Sequence, residues 1–427
     1  MSLDPVMIHN STSQQGIPPE LILEILDWLS DNQNALSSCS LVSHAWHSMS
    51  CSRLFRNITL SLRCGDSRLT DFRRFLSQDS TIPMYIRSLR LQCAVDEEFK
   101  RVRPTLSVDD VASLLATVPR LSELEIAQVV LQPSQDYDAL PIGTAQLGKL
   151  TLYRLNDTPT FSAVPDAISW LQLLSLFSHI KYFKSFMNRL LPSAGSLSKK
   201  SPPEIDPRML SFLQVDCLEM QGLVPAFVDK VITNALADNV QIRTLHLQTS
   251  CDFLDRLECV GPILSKSGPF IRSIRIDVRD TMCAPTSDFH LSAIMARWGH
   301  LQLSKCDNLE SLHLTLLLIE GKATTAMSLQ ACVQILARTP KSMRHLRFTL
   351  KHVPRDVLDS TKICSSSKQF FWDYMERIED IFPKLEYISF DAIQGQGEPC
   401  PFPDEITKMV KDNLPSLDER GLLKIKM

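Results

Sequence analysis

The sequence predicts an α/β chain in which three short N-terminal helices precede an irregular solenoid, with parallel strands inside and helices outside. Three observations predict it. Residues 16–60 read as successive helices with little room for a core of their own. Behind them, a unit of the form apolar-x-x-apolar-x-apolar recurs, at intervals from 26 residues (Leu124 to Leu150) to 42 residues (Leu346 to Ile388). Helix-like patterns fill the gaps, and several stop at a proline just ahead of the next unit, where proline cannot extend a helix.

Residues 1–14 are expected to be disordered, and the chain then runs GIPPELILEILDWLSDNQNALSSCSLVSHAWHSMSCSRLFRNITL. Pro18 and Pro19 cost little in a first helical turn, whose amides have no intrahelical partner, and Glu20 suits the positive end of the helix dipole. The first helix carries Leu21, Ile22, Ile25, Leu26, Trp28 and Leu29, more of the circumference than a helix packed on one side needs. After a break at Ser30, Asp31 and Asn32, two short helices carry Leu36, Cys39, Leu41, Val42, Ala45, Trp46 and Met49. A domain of this size buries a small fraction of its surface, so part of that apolar set wants a partner.

The repeating unit is clearest at Ile86-x-x-Leu89-x-Leu91, Leu121-x-x-Leu124-x-Ile126, Leu147-x-x-Leu150-x-Leu152, Leu210-x-x-Leu213-x-Val215 and Ile242-x-x-Leu245-x-Leu247. It continues at Ile271-x-x-Ile274-x-Ile276, Leu309-x-x-Leu312-x-Leu314, Met343-x-x-Leu346-x-Phe348 and Leu385-x-x-Ile388-x-Phe390, with a weaker copy at Ile180-x-x-Phe183. Residues 108–117, 225–236, 329–338 and 370–381 read as the intervening helices, and 132–146, 191–208 and 394–404 as surface loops. A doubly wound α/β sheet is the alternative, since it also alternates strand and helix.

Composition narrows the function. The chain has 427 residues, and 45 basic against 48 acidic side chains give a net charge of -3, without the basic footprint of a nucleic-acid binder. Twelve cysteines include no Cys-x-x-Cys pair, the first residues lack a signal-peptide pattern, and the most apolar run, 312–319, is too short to cross a bilayer. The expectation is reduced thiols, a cytoplasmic or nuclear location, and neither nucleic-acid nor membrane partners.

The N-terminal segment resembles the F-box. Ile17-Pro18-Pro19-Glu20 matches the Leu-Pro-x-Glu start; Ile22, Ile25 and Leu29 follow; Cys39-Ser40-Leu41-Val42-Ser43-His44-Ala45-Trp46 and Leu54-Phe55 match its close. Ile17 for Leu and Ser43 for the frequent Cys are the departures. The repeats resemble irregular leucine-rich repeats, although their average spacing of about 33 residues exceeds the family's roughly 20 to 29 and the usual Asn after each strand is mostly missing. The whole is similar to F-box proteins with irregular leucine-rich repeats, of the fungal F-box-like type. That resemblance implies an adaptor-binding domain at 15–60, a substrate-binding domain at 61–427, and a substrate-recognition subunit of a Skp-cullin-F-box ubiquitin ligase. It also implies docking of the Skp-type adaptor, and through it cullin, by Ile17, Pro18, Leu21, Ile22, Ile25, Leu26, Leu29, Leu41, Val42, Trp46 and Leu54. Two readings stay open beside it: an F-box scaffold outside any ligase, and a repeat-domain protein-binding module.

A client protein of unknown identity would meet the sheet face. The position between the last two apolar residues of each copy is Arg90, Glu125, Thr151, Gln214, His246, Arg275, His313, Arg347 and Ser389. His246, Arg275, His313 and Arg347 make its C-terminal half basic and are the candidate contacts for an acidic or phosphorylated client. A plainer reading is the solvated face that any half-exposed sheet carries. Ser201-Pro202 matches a proline-directed phosphorylation pattern, a dipeptide frequent enough to arise by chance.

Catalytic chemistry is not expected. His44, His47 and Cys51 share helical spacing, yet a structural zinc normally takes four ligands and a fourth is missing nearby. Gly-x-Ser-x-Gly, the full Gly-x-x-x-x-Gly-Lys-[Ser/Thr] phosphate loop and His-Glu-x-x-His are all absent. The reading is a non-catalytic receptor with no metal and no cofactor.

Overall fold

The structure is a computed structural model that describes residues 17–30, 32–65, 67–78, 80–94, 103–153, 163–187, 210, 212–222, 241–250, 257–280, 298, 301–317, 322–351, 365–394, 398–399 and 401–426. The expectations for 1–14, 191–208 (with Ser201-Pro202) and the helix at 225–236 lie outside the described residues.

Three helices come first, α1 (Pro19–Trp28), α2 (Gln33–Cys39) and α3 (His44–Leu54). Polar residues at the breaks start two of them: Asn32 Oδ1 accepts the Ala35 amide at 3.0 Å, and Ser43 Oγ accepts the Trp46 amide at 3.3 Å. The chain passes from α3 into β1 (Asn57–Leu62), then α4 (Arg68–Gln78), α5 (Ile82–Tyr85), β2 (Ser88–Cys93), β3 (Thr105–Ser107), α6 (Val108–Thr117), β4 (Glu123–Ala127) and β5 (Val130–Gln132). There follow β6 (Ala145–Tyr153), α7 (Ala163–Ser175), β7 (Phe177–Met187), β8 (Gln214–Gly222), β9 (Ile242–Ser250), α8 (Leu257–Ser267), β10 (Ser273–Asp280) and β11 (Ser311–Leu317). The C-terminal part holds α9 (Lys322–Leu336), β12 (His345–Lys351), α10 (Ser365–Glu376), α11 (Ile378–Ile381), β13 (Tyr387–Gln394), β14 (Glu398–Pro399), α12 (Pro403–Asn413), α13 (Pro415–Glu419) and β15 (Leu423–Lys426). No described helix is long and apolar enough to cross a membrane.

The main sheet has thirteen strands in the order β1-β2-β4-β6-β7-β8-β9-β10-β11-β12-β13-β14, with β15 also on β13. Every pairing in it is parallel except that of β14, and β3 pairs β5 in a separate small parallel sheet. Strand order follows chain order without reversal, so the sheet lacks the switch point that defines a doubly wound fold.

The repeating unit works through register. Leu89, Leu124, Leu150, Phe183, Leu218, Leu245, Ile274, Leu312, Leu346 and Ile388 stand opposite one another across successive strands, and all are buried. Each contributes about 1.5 to 3 kcal/mol by leaving water. Toward the C-terminal end the core becomes aromatic: Phe348 stacks on Phe390 at 5.0 Å and meets Phe371 edge-on at 5.9 Å.

Four boundaries differ from the sequence reading. The copy at Leu210-x-x-Leu213-x-Val215 is framed too early, because β8 pairs Val215 with Ile180 and Leu218 with both Phe183 and Leu245. Leu210 and Leu213 are buried ahead of the strand, so two overlapping frames satisfy the same apolar pattern and only the backbone pairing separates them. The weak copy at Ile180 belongs to a full strand, whose third apolar place holds buried Ser185 opposite Leu152 and Met220. Residues 58–60, assigned to the helical domain, are part of β1, where Ile58 pairs Leu89 and Leu60 pairs Leu91. Finally, β15 extends the sheet beyond the last recognised copy, and the loop expected at 394–404 contains β14 and the start of α12.

Candidate functional site

In α1 the apolar residues divide into two stripes. Ile22 and Leu26 point inward with Leu36 of α2 to form a small separate core, against which Leu29, Cys39, Trp46, Met49 and Leu54 pack. Leu21, Ile25 and Trp28, at the i, i+4, i+7 spacing of one helical face, point outward, and Trp28 is 82% exposed. Leu41 and Val42, in the turn between α2 and α3, are 84% and 65% exposed. Ile17 and Pro18 are exposed at the start of α1. Arg53 of α3 and Asp27 of α1 form an ion pair at 2.7 Å that joins the two helices.

The expected adaptor set therefore separates. Ile17, Pro18, Leu21, Ile25, Leu41 and Val42 are available to a partner; Leu29, Trp46 and Leu54 are half-buried. Ile22 and Leu26 are corrected to core residues, since the domain's own packing has already consumed their surface. Trp28 and Leu23 are additional exposed apolar residues, and the stripe spacing of Leu21, Ile25 and Trp28 was the signal that could have placed Trp28 on the outward face.

His47 and Cys51 do share a face of α3, with Cys51 Sγ 3.5 Å from His47 Nε2, while His47 Nδ1 lies 3.1 Å from the Ser40 carbonyl. Among the described residues, no group of three or more His, Cys, Asp or Glu side chains is placed to hold a metal ion.

On the sheet, the position between the apolar columns forms a row of neighbours: Arg90, Glu125, Thr151, Lys184, Glu219, His246, Arg275, His313, Arg347 and Ser389. Glu219 replaces Gln214 through the register correction, and Lys184 enters with the full strand β7. Opposite charges in this row pair across strands. Arg90 meets Glu125 at 2.8 Å, Lys184 meets Glu219 at 3.1 Å, and Arg347 binds Asp391 one step further along β13.

The basic C-terminal half is weaker than its residue types suggest. Burial, and then the charges of Arg275 and Lys184, lower the His246 pKa to about 4. Burial lowers that of His313 to about 3, with Arg275, Arg347, His246 and Lys351 adding to the effect. Both imidazoles are neutral near pH 7, and His313 Nε2 lies 2.7 Å from Thr349 Oγ1. Of the four candidate client contacts, Arg275 alone keeps a charge without an ion pair among the described residues.

A different basic feature lies at the N-terminal rim of β6 to β9. A groove of about 600 Å³ there is lined by Lys149, Lys181, Tyr182 and Arg243, with Glu123 and Asp216 also on its walls. Lys149, Lys181 and Arg243 are exposed and have no ion pair among the described residues. Asp216, between Lys181 and Arg243 in register, faces His179 at 3.1 Å. Gly148 lies on the groove floor, where an added Cβ would approach the Ser122 carbonyl oxygen to 3.2 Å.

No curated protein matches this chain. A family profile described as F-box-like matches residues 15–61. F-box domains are typically adaptor-binding or receptor modules, so the match of this N-terminal segment supports Skp-type adaptor binding in general.

Proposed function

We propose that this chain is the substrate-recognition subunit of a Skp-cullin-F-box ubiquitin ligase. The helical module docks the Skp adaptor, which brings cullin, and the parallel-sheet domain, a leucine-rich-repeat-like solenoid, holds a client protein. The observation that carries the reading is the exposed apolar set Ile17, Leu21, Ile25, Trp28, Leu41 and Val42 on a domain of F-box-like sequence. Seven of the twelve exposed large hydrophobic side chains among the described residues fall within 17–42, a density that marks a binding surface. Full burial of such a side chain contributes about 1.5 to 3 kcal/mol, and covering the part of each that is still exposed contributes a share of that, enough for several together to hold a partner.

The chain acts as a receptor in cytoplasm or nucleus, contributing to ubiquitin transfer by proximity rather than by its own chemistry. The adaptor module spans about 15–56, and β1 opens the client domain, which runs to 427. The test is capture by the purified Skp adaptor. Wild type should be retained, and the double variant Leu21→Asp, Ile25→Asp, folded by circular dichroism, should lose at least about a hundred-fold in affinity, since each buried charge lacks a partner. Undiminished capture of the folded variant would reject adaptor docking. Cullin recruitment together with ubiquitin transfer to a bound client, in a reconstituted mixture, separates a ligase subunit from a scaffold.

A further inference from the structure

We propose that the rim groove over β6 to β9 is the docking site for an acidic, carboxylate-rich segment of the client protein, with Lys149, Lys181 and Arg243 as its charge contacts. The proposal rests on the client-receptor reading above and names the chemistry of its ligand. The central row of the sheet face is a poorer candidate for such a role, because its cations other than Arg275 are engaged: Arg90 by Glu125, Lys184 by Glu219 and Arg347 by Asp391. At the rim the balance is reversed. Three exposed cations line one groove with no ion pair among the described residues, against two carboxylates, Glu123 and Asp216, the second of which lies 3.1 Å from His179 Nε2. Arg272 follows Arg243 along the same rim and reaches only to 4.0 Å from Glu310.

The cations are spread rather than gathered. From β6 to β9 they cover three strand spacings, about 14 Å, which suits carboxylates distributed along a peptide better than one phosphate held by converging donors. Gly148 leaves backbone on the groove floor, and Tyr182 offers a half-buried ring between Lys149 and Cys217 in register. The positive potential extends to the neighbouring row, since Lys149 helps to lower the pKa of Lys184 after burial has done most of it.

The experiment uses the full chain bound to its adaptor and a fluorescein-labelled peptide that alternates glutamate with serine. Fluorescence anisotropy should show saturable, salt-sensitive binding, absent for the glutamine counterpart. The triple variant Lys149→Glu, Lys181→Glu, Arg243→Glu should bind at least about ten-fold more weakly, whereas Lys305→Glu, Lys341→Glu, Lys408→Glu, with the same charge change elsewhere, should not. Because charge reversal in a groove can disturb folding, Lys149→Gln, Lys181→Gln, Arg243→Gln is measured too, with adaptor binding and the urea midpoint as controls; it should weaken the peptide alone. Equal binding by the groove variants, equal loss in the distant triple, or preference for a glutamine peptide with one phosphoserine or for a single-stranded oligonucleotide would overturn the proposal. If wild type and the glutamine triple deliver a client for ubiquitin transfer equally well, the groove assignment falls and the receptor reading stands. If the peptide binds through the groove but no client is ever ubiquitylated, the receptor reading falls instead.

Discussion

The helical module and the sheet domain spend their apolar residues in opposite ways. In the sheet, every strand from β2 to β13 in the main parallel run contributes to columns buried by both neighbours, and the mostly half-buried row between them is polar, with charge pairs at Arg90–Glu125 and Lys184–Glu219 and from Arg347 to Asp391. In the module, the fully buried hydrophobic core is Ile22, Leu26 and Leu36, while Leu21, Ile25, Trp28, Leu41 and Val42 face outward. A stack of strands can close its own core by adding copies of itself; three short helices cannot. The difference teaches where a partner is obligatory for burial and where it is optional for specificity.

The largest test of that comparison is a pair of neighbouring residues on α1. Leu26→Ala should remove about 2 to 5 kcal/mol of local stability, because it empties a core of three residues. Leu21→Ala, one turn and one face away, should stay within about 0.5 kcal/mol while still weakening adaptor capture. Hydrogen exchange of the α1 amides reads the first effect and adaptor affinity the second. If both variants unfolded the helix equally, the division into an inner and an outer stripe would fail.

Much of this was legible in the sequence because periodicity reports which face is apolar. The columns from Leu89 to Ile388 were readable for that reason, and so was the excess of apolar residues on the first helix. Register was not legible where Leu210, Leu213, Val215 and Leu218 satisfy two overlapping frames, and a strand was underweighted where Ser185 fills an apolar place. Ile22 and Leu26 look the same as Leu21 and Ile25 in composition; only the position of Leu36 and Trp46 decides which pair turns inward. Charge was the least legible property. Arg347 and the histidines read as a basic row until Asp391 and burial are seen beside them, and the cations at 149, 181 and 243, without an ion pair among the described residues, fall at the two places between the first and second apolar residues that the apolar pattern does not highlight.

The sheet side of the comparison can be sharpened with pH. His246 and His313 have folded pKa values near 4 and 3, below the ordinary 6.5, so the unfolded chain takes up protons that the folded chain refuses. Their stabilising contribution is complete above about pH 6.5 and is lost as pH falls from there toward 4 and then 3. The urea midpoint should therefore drop between pH 7 and 5 in wild type, and drop less in the double variant His246→Gln, His313→Gln. The same slope in both proteins would mean that the face around Arg275 does not hold these imidazoles neutral.

The smallest effect belongs to the ion pair that joins two helices of the module. Arg53 and Asp27 join α3 to α1 at 2.7 Å, but the Asp27 side chain is 62% exposed, so water and salt screen the attraction. Arg53→Ala should cost about 0.2 to 1 kcal/mol, an effect that shrinks further in high salt. Its consequence for function is geometric: α1 carries Leu21, Ile25 and Trp28, and a loosened α1 presents them less uniformly, so adaptor affinity should fall slightly and far less than with Leu21→Asp, Ile25→Asp. Urea unfolding and adaptor titration at two salt concentrations measure both. A loss as large as that of Leu26→Ala would mean that charge rather than Ile22, Leu26 and Leu36 holds the module together, and the contrast between a module starved of core and a sheet rich in it would have to be abandoned.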